Sequence, residues 1–278
     1  MTYRIIGDSC TDLPKSLRED PHFKLVPLTL MVEDQQIRDD ENFNLQQFLK
    51  QMNASPKCPK SACPSPDDYA KEFEFDGDVY VVTLSSALSG SYNSAELGKR
   101  LYLEENPGKN IGIIDSRSAS VGQTLLALKL KEFVEQKLPF EEVMKKINDF
   151  RDNMKTKFVL ESLDTLRKNG RLSSIQAIII NTLNIKPVMG STSEGTIYKL
   201  DQARGIVRAL ISMAKSIEKD VIKPQERILA IAHCNCYERA VFIKDEILKR
   251  VPFKDYLIVE TAGVSSMYAN KGGIIAAY

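Results

Sequence analysis

A chain of 278 residues is long for one small domain and comfortable for two. With 43% hydrophobic and 27% charged residues it can bury a core, which excludes disorder as its general state. The 38 Lys and Arg against 37 Asp and Glu leave a net charge of +1. That balance lacks the basic excess by which nucleic-acid binders neutralise phosphate, so no nucleic-acid partner is expected.

The first strand is expected over Tyr3–Gly7 and a second over Leu25–Val32. Asn44 is placed to cap a helix that keeps Leu45, Phe48, Leu49 and Met52 on one face. Ser65-Pro66-Asp67-Asp68 reads as another helix start, with cap, first-turn proline and acidic first turn in order. Val79–Leu84 is apolar and β-branched, hence a central strand, followed by Ser/Gly-rich Ser85–Ser94 and a helix over Ala95–Glu105. A strand at Ile111–Ile114 and helices near Ala119–Gln136 and Phe140–Asn153 complete the first half. Strands alternating with helices imply parallel pairing.

The second half reads differently. A strand at Phe158–Leu160 precedes two short helical segments around Leu166 and Ile175. Ile185–Met189 and Thr196–Leu200 bracket Gly190–Gly195 as a hairpin. Helix Arg204–Lys219, strand Ile228–His233, helix Tyr237–Arg250 and strand Tyr256–Thr261 follow. The expected fold class is α/β in two domains. Residues 1–155 form an open parallel α/β/α sheet and residues 156–278 a mixed-sheet α/β domain, with the boundary approximate.

No stretch approaches the roughly 20 apolar residues of a membrane span, because Ala177–Ile180 is closed by Asn181 and Asn184. Met1–Gly7 lacks the pattern of a signal peptide, so a cytoplasmic location is expected. The 5 cysteines are odd in number and sparse for a disulfide framework. Cys234 and Cys236 follow His233, but Cys58 and Cys63 do not complete a four-ligand set, and no metal or other cofactor is expected.

In open α/β sheets, ligands bind beyond the carboxyl ends of the strands. Three such ends carry small polar residues: Asp8-Ser9, Ser85–Gly90 and Asp115-Ser116. Serines there cap helices, and three on one edge also suit an anion, through hydroxyls and helix-start N–H groups. The phosphate-loop, dinucleotide and G-x-S-x-G motifs are absent from the sequence. Gly7-Asp8-Ser9 is similar to the first block of GDSL-type esterases, which makes a serine hydrolase using Ser9 the alternative reading. That reading needs a base. The histidines are His22 and His233, and Ala230 stands where an aspartate should precede His233.

Several blocks together resemble the DegV family of fatty-acid-binding proteins. They are Asp8-Ser9-x-x-Asp12-Leu13, Ser61-Ala62-Cys63-Pro64-Ser65-Pro66, Leu88–Ser94, Asp115-Ser116, and Leu166–Ser173 followed by Ile185-Lys186-Pro187. The resemblance spans essentially the whole chain. It implies one long-chain fatty acid, such as hexadecanoate, held without chemical change in a tunnel between the domains. It places Ser61 and Ser89 on the carboxylate, with Arg171 supplying charge nearby and Asp8, Ser9 and Ser116 shaping the crevice. Ala62 and Cys63 depart from the family's Ser-Gln at that block. Tyr268 takes the place of a family histidine; a phenol donates a hydrogen bond but lacks the imidazole's switch of charge near neutral pH. Some members carry the acyl group for a separate ATP-dependent kinase subunit in bacteria, which makes such a subunit the partner implied. The modest basic cluster Arg167, Lys168 and Arg171 would also suit transient contact with an anionic membrane surface.

A lipid ligand agrees with simple physics. Burying roughly 14 methylenes of a 16-carbon chain at about 0.8 kcal/mol each gives about 11 kcal/mol before ordering costs. The carboxylate cannot enter an apolar tunnel unpaired. Leu166, Ile175, Ile178 and Ile179 are candidates for the tunnel wall, although each could equally be plain core.

Overall fold

The computed structural model describes residues 2–172 and 184–278. The first half runs β1 (Tyr3–Asp8), α1 (Lys15–Arg18), β2 (Phe23–Val26), β3 (Thr29–Val32), β4 (Gln35–Arg38), α2 (Leu45–Ala54) and β5 (Lys60–Ala62). It continues as α3 (Pro66–Phe73), β6 (Asp78–Thr83), α4 (Ser91–Glu105), β7 (Ile111–Asp115), α5 (Val121–Glu135) and α6 (Phe140–Asn153). The second half begins β8 (Thr156–Val159), α7 (Asp164–Lys168), β9 (Ile185–Ser191), β10 (Ile197–Arg204) and α8 (Ile206–Asp220). It ends β11 (Ile228–His233), α9 (Tyr237–Leu248), β12 (Asp255–Glu260), α10 (Gly263–Ala269) and β13 (Ile274–Ala277).

Strands β2-β1-β6-β7 form a parallel sheet in that order. Successive side chains leave a strand on opposite faces, which sorts its apolar runs into two cores. Ile5, Tyr80, Val82 and Ile114 pack against Leu126 and Ile147 of α5 and α6. Ile6, Val79 and Val81 meet Tyr69, Phe73 and Ala95 of α3 and α4 on the other face. Helices cover both faces, as continuous apolar strands require. The second large sheet has the order β10-β9-β8-β13-β11-β12, with β11 and β12 parallel and the other pairs antiparallel. Helices α8 and α9 cover one face through Leu210, Met213, Ile217 and Ile243. On the other face Ala230, Ala232 and Ala277 receive Val121 and Leu125 of α5, so α5 belongs to both packing layers.

A third sheet, β4-β3-β5, is small and antiparallel. It corrects the expectation of one strand over Leu25–Val32, since β2 pairs in the parallel sheet and β3 in this one. The break falls at Pro27, which has no N–H to give a ladder. Leu28 N turns instead to Ser9 Oγ at 3.0 Å. The expected hairpin is present as β9–β10, with its turn at Thr192–Gly195. Gly195 has φ +79°, and a Cβ there would lie 2.8 Å from Arg117 Cα, so only glycine lets this turn touch the first half. The helical segment expected around Ile175, with Ile178 and Ile179, lies outside the described residues. Strands β4, β5 and β13 and helix α10 were not anticipated. Among the described residues no helix is long and apolar enough to cross a membrane.

Candidate functional site

The ends of β1 and β6 and the first turns of α4 and α5 are tied together by one buried carboxylate. Asp8 Oδ2 accepts from Leu84 N at 2.7 Å and from Ser91 Oγ at 2.6 Å, and Oδ1 accepts from Gln123 Nε2 at 2.9 Å. Burial raises the Asp8 pKa against the pull of these bonds. The arrangement fixes both ends of the Ser85–Gly90 loop, whose Ser85 Oγ donates to Gly195 O at 2.9 Å.

Between this loop and the second large sheet lies a cavity of about 310 Å³. Leu28, Leu84 and Leu88 line it from the first half, and Phe158, Leu160 and Ile197 from the second. Leu166 joins them, as expected. Four of the sequence candidates also line it: Ser61, Ser89, Arg171 and Tyr268, all half-buried. Ser61 Oγ and Tyr268 Oη lie 3.3 Å apart, so β5 and α10 meet through two hydroxyls. Ser89 Oγ accepts from Ser91 N at 3.2 Å at the head of α4. Arg171 Nε donates to Leu88 O at 3.1 Å, which holds its guanidinium beside the same loop.

Ser9 and Ser116 do not line this cavity; each is 1% exposed. Ser9 Oγ accepts from Leu28 N and also bonds Asp39, and Ser116 Oγ donates to Ser118 O at 3.0 Å. They support the crevice from beneath. Neither histidine serves Ser9: His22 Nδ1 is 2.8 Å from Asp20, and His233 Nδ1 accepts from Cys236 N at 3.3 Å. A serine held in this way has no histidine to activate it. Burial lowers the His233 pKa, consistent with an imidazole placed for structure. Among the described residues no group of three or more His, Cys, Asp or Glu is arranged to hold a metal ion.

Sequence reasoning missed α10, which adds Val264, Ser265 and Ala269 to the cavity beside Tyr268. It also missed the Ser118 and Thr156 hydroxyls, 2.6 Å apart on the wall of this cavity, of which Thr156 also lines a second cavity of about 410 Å³. That second cavity is polar, and its cations are paired, Arg117 and Arg151 with Asp152, Lys155 and Lys157 with Asp220.

A sequence profile described as "Uncharacterised protein, DegV family" matches residues 2–278. The chain belongs to the DegV family. A DegV domain-containing protein of Streptococcus gordonii is 36% identical over 280 residues, spanning 100% of this chain and 99% of the relative. A crystal structure of a DegV protein from Ruminococcus gnavus, refined with vaccenic acid, is 46% identical. It superposes with a TM-score of 0.97 over 100% of this chain and 99% of that one. The Fatty Acid Kinase (Fak) B3 protein of Streptococcus pneumoniae, solved loaded with linoleic acid, is 36% identical with a TM-score of 0.91, over 100% and 99% of the two chains. The α/β class expected from the alternation of strands and helices is observed, as one parallel and one mixed sheet.

Proposed function

We infer that this DegV protein binds one long-chain fatty acid without transforming it, in the cavity between residues 1–155 and residues 156–278 taken as two domains. The carboxylate is held by Ser61 and Ser89, with Arg171 and Tyr268 beside them. The observation that carries this reading is a single cavity, lined by leucine, isoleucine and phenylalanine side chains, to which these hydroxyls and one guanidinium are joined. Its volume of about 310 Å³ falls within the usual range of roughly 300–1,000 Å³ for ligand pockets. An acyl chain gains by leaving water there, and the hydroxyls and the arginine offset the cost of burying its charge. The fatty acids carried by the R. gnavus and S. pneumoniae relatives support the same ligand class.

Likeness to the Fak B3 protein supports a further role, presentation of the bound acid to a separate ATP-dependent kinase subunit in the cytoplasm. Denaturing extraction of the purified protein followed by mass spectrometry tests the binding. A stoichiometric fatty acid is expected. An empty protein that also takes up no added hexadecanoate would overturn the reading.

A further inference from the structure

The inference drawn here rests on the reading of the apolar cavity as an acyl site. Helix α10 supplies Val264, Ser265, Tyr268 and Ala269 to that cavity, yet it has only 7 residues. Its N-cap is Ala262, which brings no side-chain acceptor. A helix so short does not hold its shape in water unaided, and its first N–H groups need partners.

Those partners come from elsewhere in the fold. Asp12 Oδ1 accepts from Ala262 N at 2.7 Å, and Asp39 accepts from Gly263 N at 2.7 Å and Val264 N at 2.9 Å through its two oxygens. Asp12 is 0% and Asp39 4% exposed. Asp12 also accepts from Ser120 Oγ at 2.6 Å. The approach is close: a Cβ on Gly263 would lie 2.5 Å from Asp39 Oδ1 and 2.7 Å from Leu30 Cδ1.

Among the described residues neither carboxylate belongs to an ion pair. The charged and titratable groups that act on them are few. Asp12 and Asp39 repel one another, Arg18 attracts Asp39, and the buried thiols Cys10 and Cys234 feel Asp12. Two carboxyl groups bonded mainly to N–H groups and hydroxyls are an expensive way to stabilise a core, since burial raises Asp12 to about 7 and Asp39 to about 6. What they accomplish is geometric. They join the positive end of α10 to the loops after β1 and β4, while Gly272 N and Gly273 O at its far end bond Cys234 of the second half.

We propose that Asp12 and Asp39 are positioning residues of the acyl cavity, clamping the start of α10 so that Tyr268 reaches Ser61 and Val264 closes the wall. An Asn side chain at position 39 keeps one acceptor oxygen and puts an NH2 donor in place of the other, so it can no longer hold both Gly263 N and Val264 N.

Hydrogen exchange of the full chain tests this in wild type, Asp39→Asn and Asp12→Asn, at pH 8, corrected for intrinsic exchange rates. At pH 8 the Asn variants should exchange residues 262–269 at least tenfold faster while the amides of β6 keep wild-type protection. Hexadecanoate should bind Asp39→Asn about tenfold more weakly at pH 8. Wild-type protection in both Asn variants would overturn the clamp, as would a loss spread equally over β6 and α10. Faster exchange in α10 with unchanged hexadecanoate affinity would overturn its role in the cavity. Failure of wild type to bind hexadecanoate at all is a distinct result that defeats the acyl-site reading itself.

Discussion

Two helix starts in this molecule solve the same problem in opposite ways. At α3, Ser65 Oγ accepts from Asp68 N at 3.2 Å, and Asp68 Oδ2 accepts from Ser65 N at 3.0 Å. Proline leads the helix and Asp67 and Asp68 fill its first turn. Every part of that cap lies within four consecutive residues. At α10 the acceptors stand 250 and 224 residues away, on Asp12 and Asp39. A local cap stabilises a helix wherever the helix happens to lie. A remote cap stabilises one particular relation between distant parts, and here that relation is the wall of the cavity.

The sharpest way to break the comparison is to remove the remote acceptor. Asp39→Ala strands two buried N–H groups, at roughly 1–3 kcal/mol each. A loss of about 2–6 kcal/mol is therefore expected in urea unfolding, and a change below about 0.5 kcal/mol would mean that water or a rearranged chain replaces it. The pH dependence sharpens the contrast. Burial outweighs the bonds to Asp12 and Asp39 and raises both above 3.8, so the folded state holds these protons more tightly than the unfolded chain. The stability they contribute is complete below about pH 4 and is lost as pH rises through about 6 for Asp39 and about 7 for Asp12. At α3 the sign is reversed: burial raises Asp68, but the Ser65 bonds outweigh it and lower the pKa, so its contribution is lost as pH falls below the unfolded value. Thermal unfolding from pH 4 to 8 should show a flatter profile in Asp12→Asn/Asp39→Asn than in wild type, and an unaltered profile would contradict the assignment.

Smaller effects bear on the local cap and on the far end of α10. Ser65→Ala should cost about 1 kcal/mol in the same unfolding assay, without altering hexadecanoate affinity. A clear loss of affinity would show that α3 shapes the cavity too. Tyr268→Phe removes only the 3.3 Å link to Ser61 and should weaken hexadecanoate binding by no more than about 1 kcal/mol in a direct titration. A larger loss would place the phenol directly on the carboxylate.

The same contrast explains what could be read in the sequence. The apolar runs of β1, β6 and β7 announce buried parallel strands, and Asn44 and Ser65 announce α2 and α3, because each signal sits beside the element it starts. The Ser85–Gly90 loop, with Ser89, follows from the same local logic. Helix α10 does not: Gly263–Ala269 carries no cap of its own, and its acceptors are invisible to any short window. Strand β5 has three residues, Lys60–Ala62, with no apolar pattern, and β4 is Gln35–Arg38, largely polar and exposed. Ser61 and Tyr268 were therefore reached through the DegV blocks rather than through periodicity. Pro27 is the local signal that divides the apolar run Leu25–Val32 into β2 and β3. Asp12 stood in the opening motif without a role, since its partner Ala262 becomes adjacent only on folding.

The position of β13 has a consequence during synthesis. This strand lies between β8 and β11, with Ile274 opposite both Val159 and His233. Until residue 277 leaves the ribosome, β8 and β11 have no neighbour to join them, whereas the strands of the parallel sheet all lie within residues 3–115. Domains form in the order in which their parts emerge. The nascent chain thus assembles its anchoring loops early and its second sheet last. A chain stalled before residue 274 would display the apolar half of the cavity to water, as a surface for chaperones rather than as a container.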